Sequence, residues 1–195
     1  QRKLSSVAEN YFTNAVALAR DLCAKKLEKG DTAVDATMGK GNDTVLLAKL
    51  VGTSGKVYAF DIQKEAVDIT KKNINERNLS TQVELIDDGH ENMDRYIHEK
   101  VKLIIFNLGY LPGGNHDITT RAETTLAAVE KSLELLQQNG VVILVVYYGH
   151  EQGKIEKGAL ESYVKTLDQK KYNVVKISFE NQINCPPILV AIEKR

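Results

Sequence analysis

Net charge is missing from this sequence: 26 basic side chains are matched by 26 acidic ones. A protein that coats DNA or RNA indiscriminately is normally strongly basic, so the balance argues against that class. It leaves room for a local basic patch, because a sum hides how charges are distributed. Cysteine is scarce as well. Cys23 and Cys185 are the only two, with no disulfide framework and no metal-ligand spacing, which fits a reducing, cytoplasmic setting. No apolar run approaches the roughly 20 residues of a membrane-spanning helix, so no membrane partner is expected. The amino-terminal segment carries acids, unlike a signal or transit peptide. Repeats, low-complexity tracts and linkers are also lacking, so the 195 residues are expected to form one domain, residues 1–195, with an amino-terminal helix (1–29) packed on it.

What is present is an alternation of helical and strand periodicities. An amphipathic helix is expected from Leu4 to about Lys29, stopped by Gly30-Asp31. Strands follow at Thr32–Ala36, Val57–Phe60, Val83–Ile86, Val101–Phe106 and Val141–Tyr148. Between them lie helices at Asp43–Leu50, Lys64–Arg77 and Thr119–Leu136, the last ended by Asn139-Gly140, and a short helix through Ile97. A helix over Glu156–Gln169 precedes two final strands, Tyr172–Phe179 and Ile188–Ile192, joined by a turn holding Pro186-Pro187. Two strands with no helix between them imply an antiparallel pair at one edge of an otherwise parallel sheet. The expectation is an α/β, Rossmann-like fold of the methyltransferase kind. It has a seven-stranded, mostly parallel sheet, one antiparallel strand in the edge region, and helices on both faces.

The first strand runs into Asp35-Ala36-Thr37-Met38-Gly39-Lys40-Gly41-Asn42-Asp43-Thr44, and the second ends on Asp61. A glycine turn between strand and helix, followed by an acid at the tip of the next strand, is how a doubly wound sheet holds a nucleoside. Thr44 stands where a dinucleotide fold has its third glycine, which packs helix and strand around a pyrophosphate. S-adenosylmethionine (SAM) carries no phosphate, so the pattern favours it as cofactor over a nicotinamide dinucleotide. Asp35 is then expected to help position the cationic methionine end, and backbone at Gly39 and Gly41 to approach it closely. Asp61 would accept from the ribose hydroxyls. Thr37, Met38 and Ile62 complete this candidate set. After the third strand, Asp88 is placed to meet the adenine amine, with Gly89 and His90 giving backbone or stacking contacts.

The segment after the fourth strand reads Asn107-Leu108-Gly109-Tyr110-Leu111-Pro112-Gly113-Gly114 and is read as a loop from Asn107 to Ile118. Its start is similar to the Asn/Asp-Pro-Pro-Tyr motif of amino-directed methyltransferases, with Leu and Gly in place of the prolines. An amine must aim its lone pair at the methyl group while acceptors hold its hydrogens. The Asn107 side-chain oxygen and the Leu108 carbonyl can do this, and Tyr110 offers an aromatic face to a base. His116 and His150 are candidates for a substrate phosphate or the departing proton. Arg121, Lys154 and Lys157 are candidate phosphate contacts, and His98 is expected to be solvated.

Together with Tyr148-Gly149-His150 and Cys185-Pro186-Pro187, these motifs resemble the MnmM-type methyltransferases, a family also described as rRNA methylases. The resemblance spans nearly the whole chain. It implies SAM as cofactor and a tRNA substrate, the aminomethyl group of wobble 5-aminomethyl-2-thiouridine in the anticodon loop. It also implies cofactor contacts from Asn42, Asp43, Asp61, Gln63, Asp88, Gly89 and His90. An alkylammonium must lose a proton before attack, and His116, Asp117 or His150 could take it. Other readings stay open at this point: methylation of rRNA or of a small-molecule amine, a non-catalytic adenosyl-binding partner, or a nicotinamide oxidoreductase. A homodimer that widens the RNA surface is compatible with so small a domain. DNA is not an expected partner.

Overall fold

The computed structural model describes residues 10–109 and 119–195. Seven strands form one sheet: β1 (Thr32–Asp35), β2 (Lys56–Asp61), β3 (Val83–Asp87), β4 (Val101–Leu108), β5 (Leu136–Val146), β6 (Tyr172–Ile177) and β7 (Ile188–Lys194). Their order is β3-β2-β1-β4-β5-β7-β6. β7 runs antiparallel to both its neighbours, β5 and β6, and the remaining pairs are parallel. The strand order reverses between β1 and β4, so the crevice at their carboxyl ends is where such a sheet takes a ligand.

Side-chain alternation along β4 divides the core. Ile104, Phe106 and Leu108 face a cluster with Ala128, Val129 and Leu133 of helix α4 (Ala122–Leu135) and Leu160 of α5 (Glu151–Val164). Leu103 and Ile105 face the other way, toward α1 (Ala15–Lys26), α2 (Asn42–Val51) and α3 (Lys64–Glu76). Helices therefore cover both faces, which is why the Leu103–Phe106 run of β4 can be entirely apolar. No helix among the described residues is long and apolar enough to cross a membrane.

Several element boundaries differ from expectation for local reasons. α1 starts at Ala15 rather than near Leu4: the Asn14 side chain accepts from the Ala17 N–H and caps the helix, leaving Tyr11 and Phe12 exposed ahead of it. Val7 lies outside the described residues. α5 starts five residues early because His150 caps it, its Nδ1 accepting from the Gly153 N–H at 3.1 Å. α4 begins at Ala122, not Thr119, and passes straight into β5 at Leu136. Asn139-Gly140 does not end the helix. It lies in an irregularity of β5, where pairing jumps from Val101↔Leu136 to Leu103↔Val141 and Asn139 adopts φ 61°. β4 also runs two residues beyond Phe106, so Asn107 and Leu108 are strand residues paired with Val145 and Val146. Asn107 thus stands at the carboxyl end of the central strand rather than in a loop.

Candidate functional site

The glycine turn is held from three sides. The Gly39 N–H donates to Asp61 Oδ2 at 3.0 Å, and the Gly39 carbonyl accepts from Thr70 Oγ1 of α3, also at 3.0 Å. Asn73 of α3 donates to the Lys40 carbonyl at 2.7 Å. Beneath the turn, Asp35 is completely buried. Its carboxylate accepts from the Thr37 N–H at 3.2 Å and from Thr44 Oγ1 at 2.7 Å. Thr44, in the place of a third glycine, therefore ties α2 back to β1. Gly41 caps α2 with φ 80°, and a Cβ there would meet Thr70 side-chain atoms at 2.8 Å.

Above the turn a cleft of about 940 Å³ opens at the carboxyl ends of β1, β2, β3, β4 and β5. Thr37, Met38, Gly39, Asn42, Asp43, Asp61, Ile62, Gln63, Asp88, Gly89, His90, Asn107 and His150 all line it, as expected. Asp35 and Gly41 do not. Asp35 is sealed under the turn, where it braces the backbone that faces the cleft, and Gly41 is the point where α2 crosses close to Thr70. Tyr110, His116 and Asp117 lie outside the described residues.

Burial raises the Asp35 carboxyl, and the nearby charge of Asp43 raises it further, to about 7. An unfolded aspartate titrates near about 3.9. With the folded value the higher one, this group stabilises the fold below about pH 4, and the contribution is lost as pH rises to about 7. The Asp35→Asn variant should thus gain melting temperature relative to the parent as pH rises from about 5 to about 8. Thermal melts of both proteins across that range check this; a constant difference would refute it.

The cofactor end of the cleft has polar groups with capacity to spare. Burial raises the Asp61 carboxyl, against the opposing bonds from the Gln63 and Gly39 N–H groups. Each oxygen takes one backbone bond and keeps a lone pair for another donor. Ile62 beside it is 62% exposed, a bare apolar surface at the rim. Burial pushes the Asp88 carboxyl up, but bonds from Asn92, Tyr96 and the Gly89 N–H outweigh it and leave it below the ordinary value. His90 is buried, and burial lowers its pKa, so the ring is neutral. Its Nδ1 lies 3.0 Å from the Ala36 carbonyl, which can only accept, so that nitrogen carries the proton. These features suit an uncharged adenine, a ribose diol and a zwitterionic tail.

At the other end Asn107 is fixed twice to the cofactor side. Its backbone N–H donates to Thr37 Oγ1 at 2.7 Å, and its Nδ2 donates to Asp43 Oδ2. Asp43 Oδ1 in turn accepts from Arg20 Nε of α1 at 2.9 Å. The Leu108 carbonyl, expected to hold an amine hydrogen, accepts from the Tyr147 N–H at 3.3 Å and keeps its second lone pair. Gly109 and Thr120 exchange two bonds, Gly109 N–H to Thr120 Oγ1 and Thr120 N–H to the Gly109 carbonyl, both 2.9 Å. Thr120 also donates to Glu156 of α5, a buried carboxyl that takes a second bond from Thr125 and is raised by its burial.

Among the basic candidates, Arg121 is exposed at the cleft and Lys154 is exposed away from it. Lys157 is spent elsewhere, paired with Glu161 and placed over the Tyr148 ring. His98 is exposed, as expected. Arg20, Tyr147, Asn184 and Cys185 also line the cleft, unanticipated as site residues. Arg20 sat on an ordinary amphipathic helix with no motif to mark it. Asn184 and Cys185 both hold positive φ just before Pro186-Pro187, a strain that only coordinates reveal. No cluster of metal-ligating side chains occurs among the described residues.

The family model described as "Putative rRNA methylase" matches residues 57–193. A model for protein-L-isoaspartate O-methyltransferases matches residues 7–96, the half that holds the glycine turn. A chloroplastic tRNA (mnm(5)s(2)U34)-methyltransferase of Arabidopsis thaliana is 36% identical over 100% of this chain and 75% of its own length. The crystal structure of an rRNA methylase of the same description from Clostridium thermocellum superposes with TM-score 0.93 at 49% identity, covering 94% of this chain and 98% of that one. A methyltransferase of Streptococcus mutans, solved in complex with SAH, superposes with TM-score 0.86 at 42% identity, covering 94% and 99%. With its sheet order, glycine turn and acid-tipped second strand, the chain belongs to this rRNA methylase family and is a SAM-dependent methyltransferase.

Proposed function

We propose that the enzyme methylates the aminomethyl group of 5-aminomethyl-2-thiouridine at the wobble position of tRNA, reading it from the anticodon loop. The observation that carries this is Asn107, a strand-end amide at the cleft, held by Thr37 and Asp43 of the cofactor turn. It is supported by the printed activity of the Arabidopsis relative. SAM supplies an electrophilic methyl group on its sulfonium; the rest is positioning by this chain. Asp61 would accept from the ribose diol, Ile62 would offer apolar surface to the adenine, and Asp88 with Gly89 and His90 would bound its edge. Asn107 accepts a hydrogen of the incoming neutral amine and aims its lone pair at the methyl carbon. The C–N bond forms as the C–S bond breaks, and the resulting ammonium sheds its proton. Tyr110 offers an aromatic face to the uracil, and His116 and His150 serve a phosphate or the proton. His150 already lends its Nδ1 lone pair to α5.

The exposed cations Lys40 and Arg121 at the cleft give the RNA backbone its contacts. Incubation with SAM and tRNA carrying the aminomethyl nucleoside should convert it to the methylaminomethyl form, read by mass spectrometry of digested tRNA. KM should climb with salt, by a log–log slope of roughly 0.7 for each phosphate contact. No transfer to any tRNA nucleoside would overturn the substrate; transfer with a flat salt response would overturn the phosphate contacts.

A further inference from the structure

We infer that Asp43 is a positioning residue that sets the polarity of the Asn107 amide, with Arg20 of α1 as its counter-charge. The inference rests on the reading of Asn107 as the group that accepts from the substrate amine. An asparagine side chain can point either its oxygen or its NH2 into a cleft, and the two choices have opposite consequences. The oxygen holds an amine hydrogen, whereas the NH2 would compete for the lone pair that must attack.

The structure removes the ambiguity. Asp43 is 8% exposed, and an ionised carboxylate can only accept. Its Oδ2 faces Asn107, so the Asn107 NH2 must turn toward it, which leaves the amide oxygen of this cleft-lining residue as the atom free to meet the substrate. Arg20 Nε at 2.9 Å from Oδ1 is a donor in any protonation state met in proteins, and it orients whatever stands at position 43. The Asn107 N–H bond to Thr37 Oγ1 leaves the backbone no freedom to compensate.

The order of donors and acceptors makes a specific forecast. In Asp43→Asn, Arg20 draws the new amide oxygen to itself, so the new NH2 meets the Asn107 NH2. Asn107 then rotates, gives its oxygen to position 43 and presents NH2 to the substrate. In Asn107→Asp, two carboxylates oppose each other. In the combined exchange Asp43→Asn with Asn107→Asp, the position 43 NH2 donates to the position 107 carboxylate, whose other oxygen faces the cleft as an acceptor again.

The test is steady-state kinetics of the four proteins on modified tRNA, with SAM affinity by calorimetry and thermal melts for each. Each single variant should lose about 10- to 100-fold in kcat, a loss typical of a displaced reacting group, with KM for tRNA little changed. The double variant should recover at least tenfold over the weaker single. Full kcat in Asp43→Asn overturns the inference. So does a folded, SAM-binding double variant no better than either single. Failure of the wild type to methylate the tRNA instead strikes the substrate reading. In that case the same comparison is made by neutron crystal structures of the deuterated single and double variants, which tell the amide oxygen from its ND2, and an unrotated Asn107 in Asp43→Asn overturns the inference.

Discussion

Replacing Asn107 by Ala is expected to lower kcat by on the order of 100-fold or more while SAM binding stays within a few-fold of wild type. The strand end survives the change, because the backbone N–H at 107 still donates to Thr37 and the ladder to Val145 does not use the side chain. What is lost is a side-chain acceptor held rigidly at the end of β4 by its bond to Asp43. Asp43 keeps Arg20 as partner, so the charge beside the cleft is not orphaned. Single-turnover rates at saturating tRNA, set beside calorimetric SAM affinity, separate the two effects. Unchanged single-turnover rates would remove Asn107 from the reaction.

The second large effect is expected at Gly41. In Gly41→Ala the new methyl is forced into a left-handed backbone at φ 80° and against Thr70 at 2.8 Å. Thr70 is buried and cannot swing away without breaking its bond to the Gly39 carbonyl. Backbone strain and overpacking together should cost about 3 kcal/mol or more. For a chain of this size that is a fall of roughly 6–12 °C in melting temperature. SAM affinity should fall at least tenfold as well, because the turn that carries Gly39 and Lys40 is what Thr70 and Asn73 hold in place. A variant that melts and binds like wild type would mean that α2 and α3 can part at no cost.

The sheet was readable because parallel strands buried on both faces are short apolar runs bounded by polar turns, and Val101–Phe106 is such a run. Its cofactor half was readable because glycine and acid spacing is local. Asp61 and Asp88 both line the cleft, as the motif suggests. The surroundings of Asp35 were not readable, for an instructive reason. The same spacing that would aim it at a ligand also lets Thr44 and the Thr37 N–H enclose it, and only packing decides between them. The acceptor half depends on groups remote in sequence. Arg20 meets Asp43 across 23 positions, and Asp43 meets Asn107 across 64. No periodicity carries such a relation. Asn139-Gly140 was misleading because the pair that stops a helix also forms a strand irregularity, and burial of Leu136 chose the second.

The reversed strand β7 has a consequence for biosynthesis. It is the last strand in the chain, yet it lies between β5 and β6. A nascent polypeptide can align β1 to β5 as it leaves the ribosome, but β6 has no ladder partner until residues 188–194 have followed it out. Helix α1, the earliest described element, waits too, since it packs on β7 as well as β5, and its Lys26 pairs with Glu193. A polypeptide truncated before β7 would expose an unpaired edge and an undocked helix together, the kind of surface on which chaperones act.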